Sequence, residues 1–276
     1  MSLKELLKGK VGKEELRHVR RSFEIIGDVV IIEIPDEIIH LKDEIAKAIL
    51  KKHKHVKTIL RKVGEVGGVY RVAKYEPIYG SKTETVVREH GCRFYVDPTK
   101  VYYSVRLSGE RERIAKLVRD GERILVMFAG VGPYAIVIAK LAKPKEVVGI
   151  ELNPVAAEYF RKNVVLNKVQ DIVKVYEGDV REIVPKLEGE FDRILMPAPH
   201  SAEDFVYLVK NKIKKGGFVH YYTFESENRE EELPEKVQKL FEMHGMKVKI
   251  VGFRRCGSFA PYVNRYVVDV EVLNSD

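Results

Sequence analysis

The chain has 276 residues, 45% of them hydrophobic, which suffices to fill one large or two modest domains, and a formal charge of +8. No stretch approaches the roughly 18 to 20 uncharged apolar residues of a membrane span, and the N-terminal MSLKELLKGK lacks a secretion signal's apolar region, so a cytoplasmic protein is expected. Residues 1–95 hold 20 Lys and Arg against 14 Asp and Glu, and a basic surface of this kind attracts phosphate, which makes nucleic acid the leading partner. A chain rich in Lys and Glu and without Trp also fits a heat-adapted protein.

In chain order, residues 1–22 show a short amphipathic helix pattern broken at Gly9 and Gly12 and read as an N-terminal arm. FEIIGDVVIIEIP predicts a strand pair turning at Gly27-Asp28, and Pro35-Asp36 opens a helix carrying Ile45, Ile49 and Leu50. VKTILRKV and GVYRV add strands, and REHGCRFYVD closes a small α+β unit over 23–97. From 98 to 276 strands and helices alternate. ERILVMFAG, EVVGIEL, VKVYEGD, FDRILMPAP and GGFVHYYTF read as strands and PYAIVIAKLA and PVAAEYFRKNVVLNK as helices, which predicts an α/β doubly wound sheet. The last two strands, KVKIVGFRR and NRYVVDVEVL, follow helix EKVQKLFEMHG, and their short CGSFAPYV connection favours antiparallel pairing. Cys92 and Cys256 lie outside any C-x-x-C spacing and the eight histidines form no ligand cluster, so neither a metal nor a disulfide is expected.

The sharpest local motif is Phe128-Ala129-Gly130-Val131-Gly132-Pro133-Tyr134, between a strand and its helix, where glycines let the backbone approach a ligand at the helix's positive end. Glu151 follows Gly130 by the spacing at which an acid meets ribose hydroxyls, and Asp179 ends the third strand, where a carboxylate can accept from an adenine amino group. Each acid alone is better explained as an exposed loop acid, but the three signals in register point to a nucleotide. Gly130, Gly132 and Ala135 also satisfy the dinucleotide pattern G-x-G-x-x-A, so an NAD enzyme remains open here, as does a non-catalytic RNA-binding module.

DPTKVYYSVRLSGERERIAKLV, MFAGVGPYAIVIAK, IELNP, KNVVLNK, GDVRE, HYYTF and SFAPYVNRY resemble the archaeal and eukaryotic tRNA guanine N1-methyltransferases that act on the base 3′ to the anticodon. They equally resemble the sister family, the wybutosine-pathway tRNA 4-demethylwyosine aminocarboxypropyltransferases. The resemblance implies a Rossmann-like class I methyltransferase fold, mostly parallel with an antiparallel last strand, behind a small α+β domain that faces RNA. It implies S-adenosyl-L-methionine as cofactor and tRNA, in particular the tRNA(Phe) anticodon loop, as partner. Among the residues it points to, Tyr102, Glu110 and His200 are candidates for catalysis, with Glu110 at the place of the methyltransferases' proposed base. Ser104, Arg111, Phe128, Ala129, Gly130, Gly132, Glu151, Leu152, Asp179, Val180 and Pro197 are expected at the cofactor, Arg111 on its methionyl carboxylate. Arg71, Lys74, Arg88 and Arg93, with Lys82, are candidate phosphate contacts, and Tyr75 and Tyr79 candidate stacking platforms.

Three departures choose between the sisters. Val126 stands where the methyltransferases resemble Asp, Pro197-Ala198-Pro199 replaces their N-L-P or N-P-P, and about 22 residues remain for an N-terminal domain that is often larger. The cofactor's sulfonium is bonded to three carbons, and the pocket selects the reaction by which of them faces the nucleophile. Loss of the acid and the amide loosens the methyl-forward pose. The expectation is therefore transfer of the 3-amino-3-carboxypropyl group to C7 of 4-demethylwyosine at position 37, releasing methylthioadenosine, with guanine N1-methylation as the alternative.

Overall fold

A computed structural model describes residues 3–20, 22–64, 73–198 and 200–275. The chain forms two compact units, Met1–Arg88 with Arg93–Val105 and Glu89–Cys92 with Arg106–Asp276. Among the described residues no helix is long and apolar enough to cross a membrane, and no three His, Cys, Asp or Glu side chains are grouped to hold a metal ion. Cys92 and Cys256 are free thiols.

The first unit begins with helices α1 (Leu3–Leu7) and α2 (Lys13–His18). Strands β1 (Glu24–Ile26) and β2 (Val29–Ile32) form the expected hairpin about Gly27-Asp28, pairing Ile26 with Val29. A 3-10 turn over Asp36–Leu41 leads into α3 (Lys42–Lys52), which crosses to β3 (Thr58–Lys62), parallel to β2; β4 (Tyr75–Tyr79) then pairs antiparallel with β3. Ile45, Ala46, Ala48 and Ile49 recur at helical spacing, so α3 buries one face, in a core that includes Val30, Ile32 and Ile59. Leu3 and Leu7, four apart and so on one helix face, are buried in the same core, and residues 3–7 are therefore part of this unit and not a free arm. The strand expected at GVYRV lies outside the described residues. Strands β5 (Thr85–Glu89) and β6 (Cys92–Val96) turn through His90-Gly91, residues counted with the second unit and both at positive φ (47° and 74°), the geometry of a tight two-residue hairpin.

In the second unit α4 (Ser108–Leu117) precedes β7 (Arg123–Val126), α5 (Pro133–Leu141), β8 (Glu146–Glu151), α6 (Pro154–Leu166) and β9 (Val173–Glu177). A short α7 (Val180–Ile183) leads to β10 (Phe191–Met196), β11 (Ile213–Ser226), α8 (Leu233–Met243) and the long strands β12 (Met246–Ala260) and β13 (Val263–Ser275). The seven-stranded sheet runs β12-β13-β11-β10-β7-β8-β9, parallel throughout except for β13, which is antiparallel to both its neighbours. The inner strands are near-continuous apolar runs because helices cover both faces, and Leu125, Ile150, Ile194, Val219 and Val268 are fully buried between them. The segment Ala202–Leu208 between β10 and β11 is a 3-10 helix.

Candidate active site

The strand order reverses between β7 and β10, and in open parallel sheets a crevice opens at such a point outside the carboxyl ends of the strands. The four neighbouring strands β9, β8, β7 and β10 end at one edge of the sheet, so Asp179, Glu151, the Phe128–Gly132 loop and Pro197 follow four adjacent strands spaced about 4.8 Å apart. Residues as far apart in sequence as Phe128 and Pro197 thus meet along one line.

The loop after β7 is shaped for close approach. Gly132, at φ +88°, caps α5, and a Cβ there would lie 2.0 Å from the Phe160 ring; a Cβ on Gly149 would meet the same ring at 2.4 Å. Phe160 on α6 thus fills the space that two glycines leave, fixing the turn. Phe128 takes φ 57°, unusual for a bulky side chain and a mark of a functional turn, with its ring edge-on to Phe205 at 5.0 Å. Beneath it, Ala129 N–H donates to Ile150 O at 2.8 Å and the buried Asn163 amide donates to Val131 O at 3.1 Å.

Glu151 receives the Gly130 N–H at 2.6 Å on Oε2 and the Asn153 N–H at 2.8 Å on Oε1, so the acid expected at the ribose is locked to the glycine loop. Burial pushes its carboxyl up, against those two bonds, which pull it down. Leu152 beside it is exposed, an open apolar edge. Asp179 caps α7 through the Arg181 N–H (2.8 Å) and pairs with the Arg181 guanidinium, which holds its carboxyl below the usual range; Val180 is buried.

Arg111 and Glu110 are placed differently from what their sequence positions suggest. Arg111 is buried, and its guanidinium forks onto Glu89 with Nε–Oε1 at 2.6 Å and Nη2–Oε2 at 2.7 Å. Ser108 Oγ and the His90 ring meet at 2.8 Å alongside. The fork expected on a methionyl carboxylate is therefore occupied by a protein carboxylate that fits it bidentately, which ties the β5–β6 turn to α4. Glu110 lies in the first turn of α4, but it is not there as an exposed acid at a helix start: it is buried, accepting from Arg113 Nε and Nη2 (both 2.8 Å) and from the Tyr222 hydroxyl (2.8 Å).

From Glu110 a buried polar chain crosses the sheet. Arg113 also donates to Asp269 on β13 (2.6 Å); Asp269 meets His220 Nδ1 on β11 at 2.6 Å; His220 Nε2 meets Arg193 Nη1 on β10 at 2.7 Å; and Arg193 forks onto Glu122 (2.8 and 3.0 Å). The tautomer follows from the partners. A guanidinium only donates, so Nε2 accepts, the ring proton sits on Nδ1 and is donated to Asp269, and His220 is neutral. Burial lowers the His220 pKa in the same direction, outweighing Asp269. Burial alone would raise Asp269, but the bonds from His220 and Arg113 prevail and hold it well below the carboxylate range. Sequence reading missed this chain, whose directly bonded members lie up to 156 residues apart. The available signal was a single polar residue at an inward position of each apolar strand, as in FVHYY and VVDV.

His200 is exposed, its ring edge-on to Phe224 (centroids 4.4 Å apart) and Phe259 (4.9 Å). Pro197 is half-buried, Pro199 lies outside the described residues, and Val126 is fully buried at the end of β7. In the first unit Tyr102 is exposed and Ser104 half-buried; Lys74, Lys82, Arg88, Arg93 and Tyr79 are exposed and Tyr75 is half-buried, while Arg71 lies outside the described residues. Arg61, by contrast, is buried, donating to Ile34 O at 2.9 Å and pairing with Asp36 and Glu76.

A doubly wound sheet with an antiparallel seventh strand, with a glycine loop clasped by the acid ending β8 and a second acid after β9, is the architecture of the methyltransferase fold. Sequence comparison narrows the class. The family profile described as the TRM5/TYW2 methyltransferase domain matches residues 85–251, and the TYW2 N-terminal domain matches residues 3–83. The chain belongs to the TRM5/TYW2 family and is an S-adenosylmethionine-dependent transferase, as the sequence led us to expect. The tRNA (guanine(37)-N(1))-methyltransferase Trm5b of Pyrococcus abyssi is 39% identical, covering 95% of this chain and 78% of its own. The tRNA 4-demethylwyosine(37)-methyltransferase Taw21 of Saccharolobus solfataricus is 37% identical over 79% of this chain and 84% of its own. The tRNA(Phe) (4-demethylwyosine(37)-C(7)) aminocarboxypropyltransferase of Pyrococcus horikoshii is 31% identical over 99% of this chain and 97% of its own. The solved structure of P. horikoshii TYW2 in complex with MeSAdo superposes with a TM-score of 0.80 at 29% identity, covering 98% of this chain and 97% of that one.

Proposed function

We propose that this chain alkylates the base at position 37 of tRNA with S-adenosylmethionine, and that the group transferred is 3-amino-3-carboxypropyl, delivered to C7 of 4-demethylwyosine in tRNA(Phe). The observation that carries the cofactor assignment is the clasp of Glu151 on the Gly130 N–H. On this reading the carboxylate accepts from the ribose hydroxyls, Leu152 and Val180 flank the adenine and Asp179 meets its amino edge; the firm attachment of Glu151 to the loop supports it. Bound there, the cofactor supplies a sulfonium with three electrophilic carbons. The protein's part is to orient them: Pro197-Ala198 and the buried Val126 line the end of the strands that flank the switch point, and none of the three offers a side-chain hydrogen bond to hold the methyl forward.

The glycine loop, Glu151 and Asp179 also weigh against a non-catalytic module, since an RNA-binding remnant has no need of an intact cofactor cradle. Glu110 is held by Arg113 and Tyr222, so we assign it to positioning α4 and not to proton removal.

A second reading, methyl transfer, is favoured by the higher identity to Trm5b and Taw21 than to the aminocarboxypropyltransferase. We rank it second because chemistry is set at the site and not by identity averaged over the chain. The apolar Val126 and Pro197-Ala198 at the strand ends support the first reading. The spent cofactor separates them: methylthioadenosine follows from the first, S-adenosylhomocysteine from the second.

A further inference from the structure

Three aromatic side chains, His200, Phe224 and Phe259, gather at the carboxyl edge of the sheet, with Tyr262 in the turn that follows Phe259. His200 follows β10, Phe224 is near the end of β11, Phe259 is near the end of β12, and Tyr262 occupies the turn into β13. The Phe224 and Phe259 rings lie 4.3 Å apart at 31°, the His200 ring stands edge-on to both, and the Arg265 guanidinium sits 5.3 Å over Phe224. A group of rings this closely packed would ordinarily be core. Here Phe259 is 55% and Tyr262 78% exposed, and Tyr262 is held at φ 62°, a conformation that costs energy in a residue with a Cβ. A depression beside Tyr262 is lined by Ser226, Glu227, Asn228 and Arg229. The acids near it are already paired, Glu225 with Lys236 and Glu227 with Arg255, so the patch does not present bare negative charge to a phosphate chain.

We infer that this cluster is a stacking platform for an unpaired base of the substrate RNA next to the one that reacts, with Phe259 as its exposed face. The inference rests on the proposed action on tRNA. Rings backed by arginine suit a nucleobase, since every base offers a π-face and the cation strengthens the contact. The platform's distance from the cradle selects the flanking base. β11 lies beside β10, about 5 Å away, and His200, three residues past Pro197, meets both the Phe224 and the Phe259 ring, so a base placed before β10 to react leaves the platform one nucleotide away.

The chain has no tryptophan, so Phe259→Trp introduces a single fluorescent reporter at an exposed position. Titration with an anticodon stem-loop RNA should quench it. The quench should persist when position 37 is abasic and be lost when the base at 36 or at 38 is removed. In parallel, Phe259→Ala should raise KM for the RNA by roughly tenfold, within the range that removing one base–aromatic stack allows, while Phe259→Tyr restores it and S-adenosylmethionine affinity stays unchanged. No quench despite RNA binding, a quench indifferent to every abasic site, or one lost only at position 37 would overturn the platform, as would an unchanged KM in Phe259→Ala. Labelling of position 37 by the wild-type protein is followed in the same preparation. If that fails, the proposed function and the platform fall together; if it succeeds without the quench, the platform alone falls.

Discussion

Glu151 shows how much one side chain joins in this fold. It ends β8, accepts the backbone of the glycine loop and of Asn153, and by our reading retains lone pairs for the ribose. Replacing Glu151 by Ala should weaken S-adenosylmethionine binding by about 1.5 to 3 kcal/mol, the range for hydrogen bonds to a charged group, with the protein still folded. Calorimetric titration alongside a circular dichroism spectrum is the check; unchanged affinity in a folded variant would remove Glu151 from the site. The acid and its glycines were legible in sequence because their spacing is fixed by one strand–helix–strand unit. Arg111 was not, because its partner Glu89 sits across a hairpin turn, and nothing at position 111 marks a guanidinium as already engaged.

At the scale of elements, α4, β10, β11 and β13 are joined by the Glu110–Arg113–Asp269–His220–Arg193–Glu122 chain. The alternation of strands and helices was legible because apolar runs of strand length differ from helical periodicity, and the antiparallel pairing of the last two strands because their connection is short. The chain of charges was not, since each link joins residues that only the finished sheet brings into register, such as His220 opposite Asp269. Residues 3–7 were misread as an arm for a related reason: a five-residue helix carries too few apolar positions to announce the core it enters. The chain has a consequence for pH. His220 is neutral in the folded protein and its pKa is lowered, so below its ordinary 6.5 the unfolded chain takes up the proton first and stability falls with pH. Asp269, lowered likewise, contributes stability above its ordinary 3.8 that is lost as pH falls through the folded value. His220→Gln keeps one donor and one acceptor but cannot titrate, so its melting temperature should decline less than the wild type's between pH 7 and 5. Parallel curves for the two proteins over that window would show that His220 is not the group responsible.

For the whole molecule, the basic excess of the first 95 residues and the likeness to tRNA-modifying relatives lead us to propose phosphate contacts on the first unit. Lys74, Arg88 and Arg93 are exposed there. Affinity for tRNA should fall steeply with salt, and Ala at any one of them should flatten the slope of log affinity against log salt by roughly 0.7 to 0.9 for each phosphate that is no longer neutralised. A slope unmoved by all three substitutions would place the RNA elsewhere. The most direct test of the central claim is incubation of the protein with tRNA carrying 4-demethylwyosine and S-adenosylmethionine labelled separately in its methyl and its aminocarboxypropyl carbons, followed by mass spectrometry of the nucleoside at position 37. Aminocarboxypropyl label on that nucleoside and methylthioadenosine in solution are the expected result. Methyl label with S-adenosylhomocysteine would reassign the group transferred, and a position 37 carrying neither label would overturn the proposed action on that base.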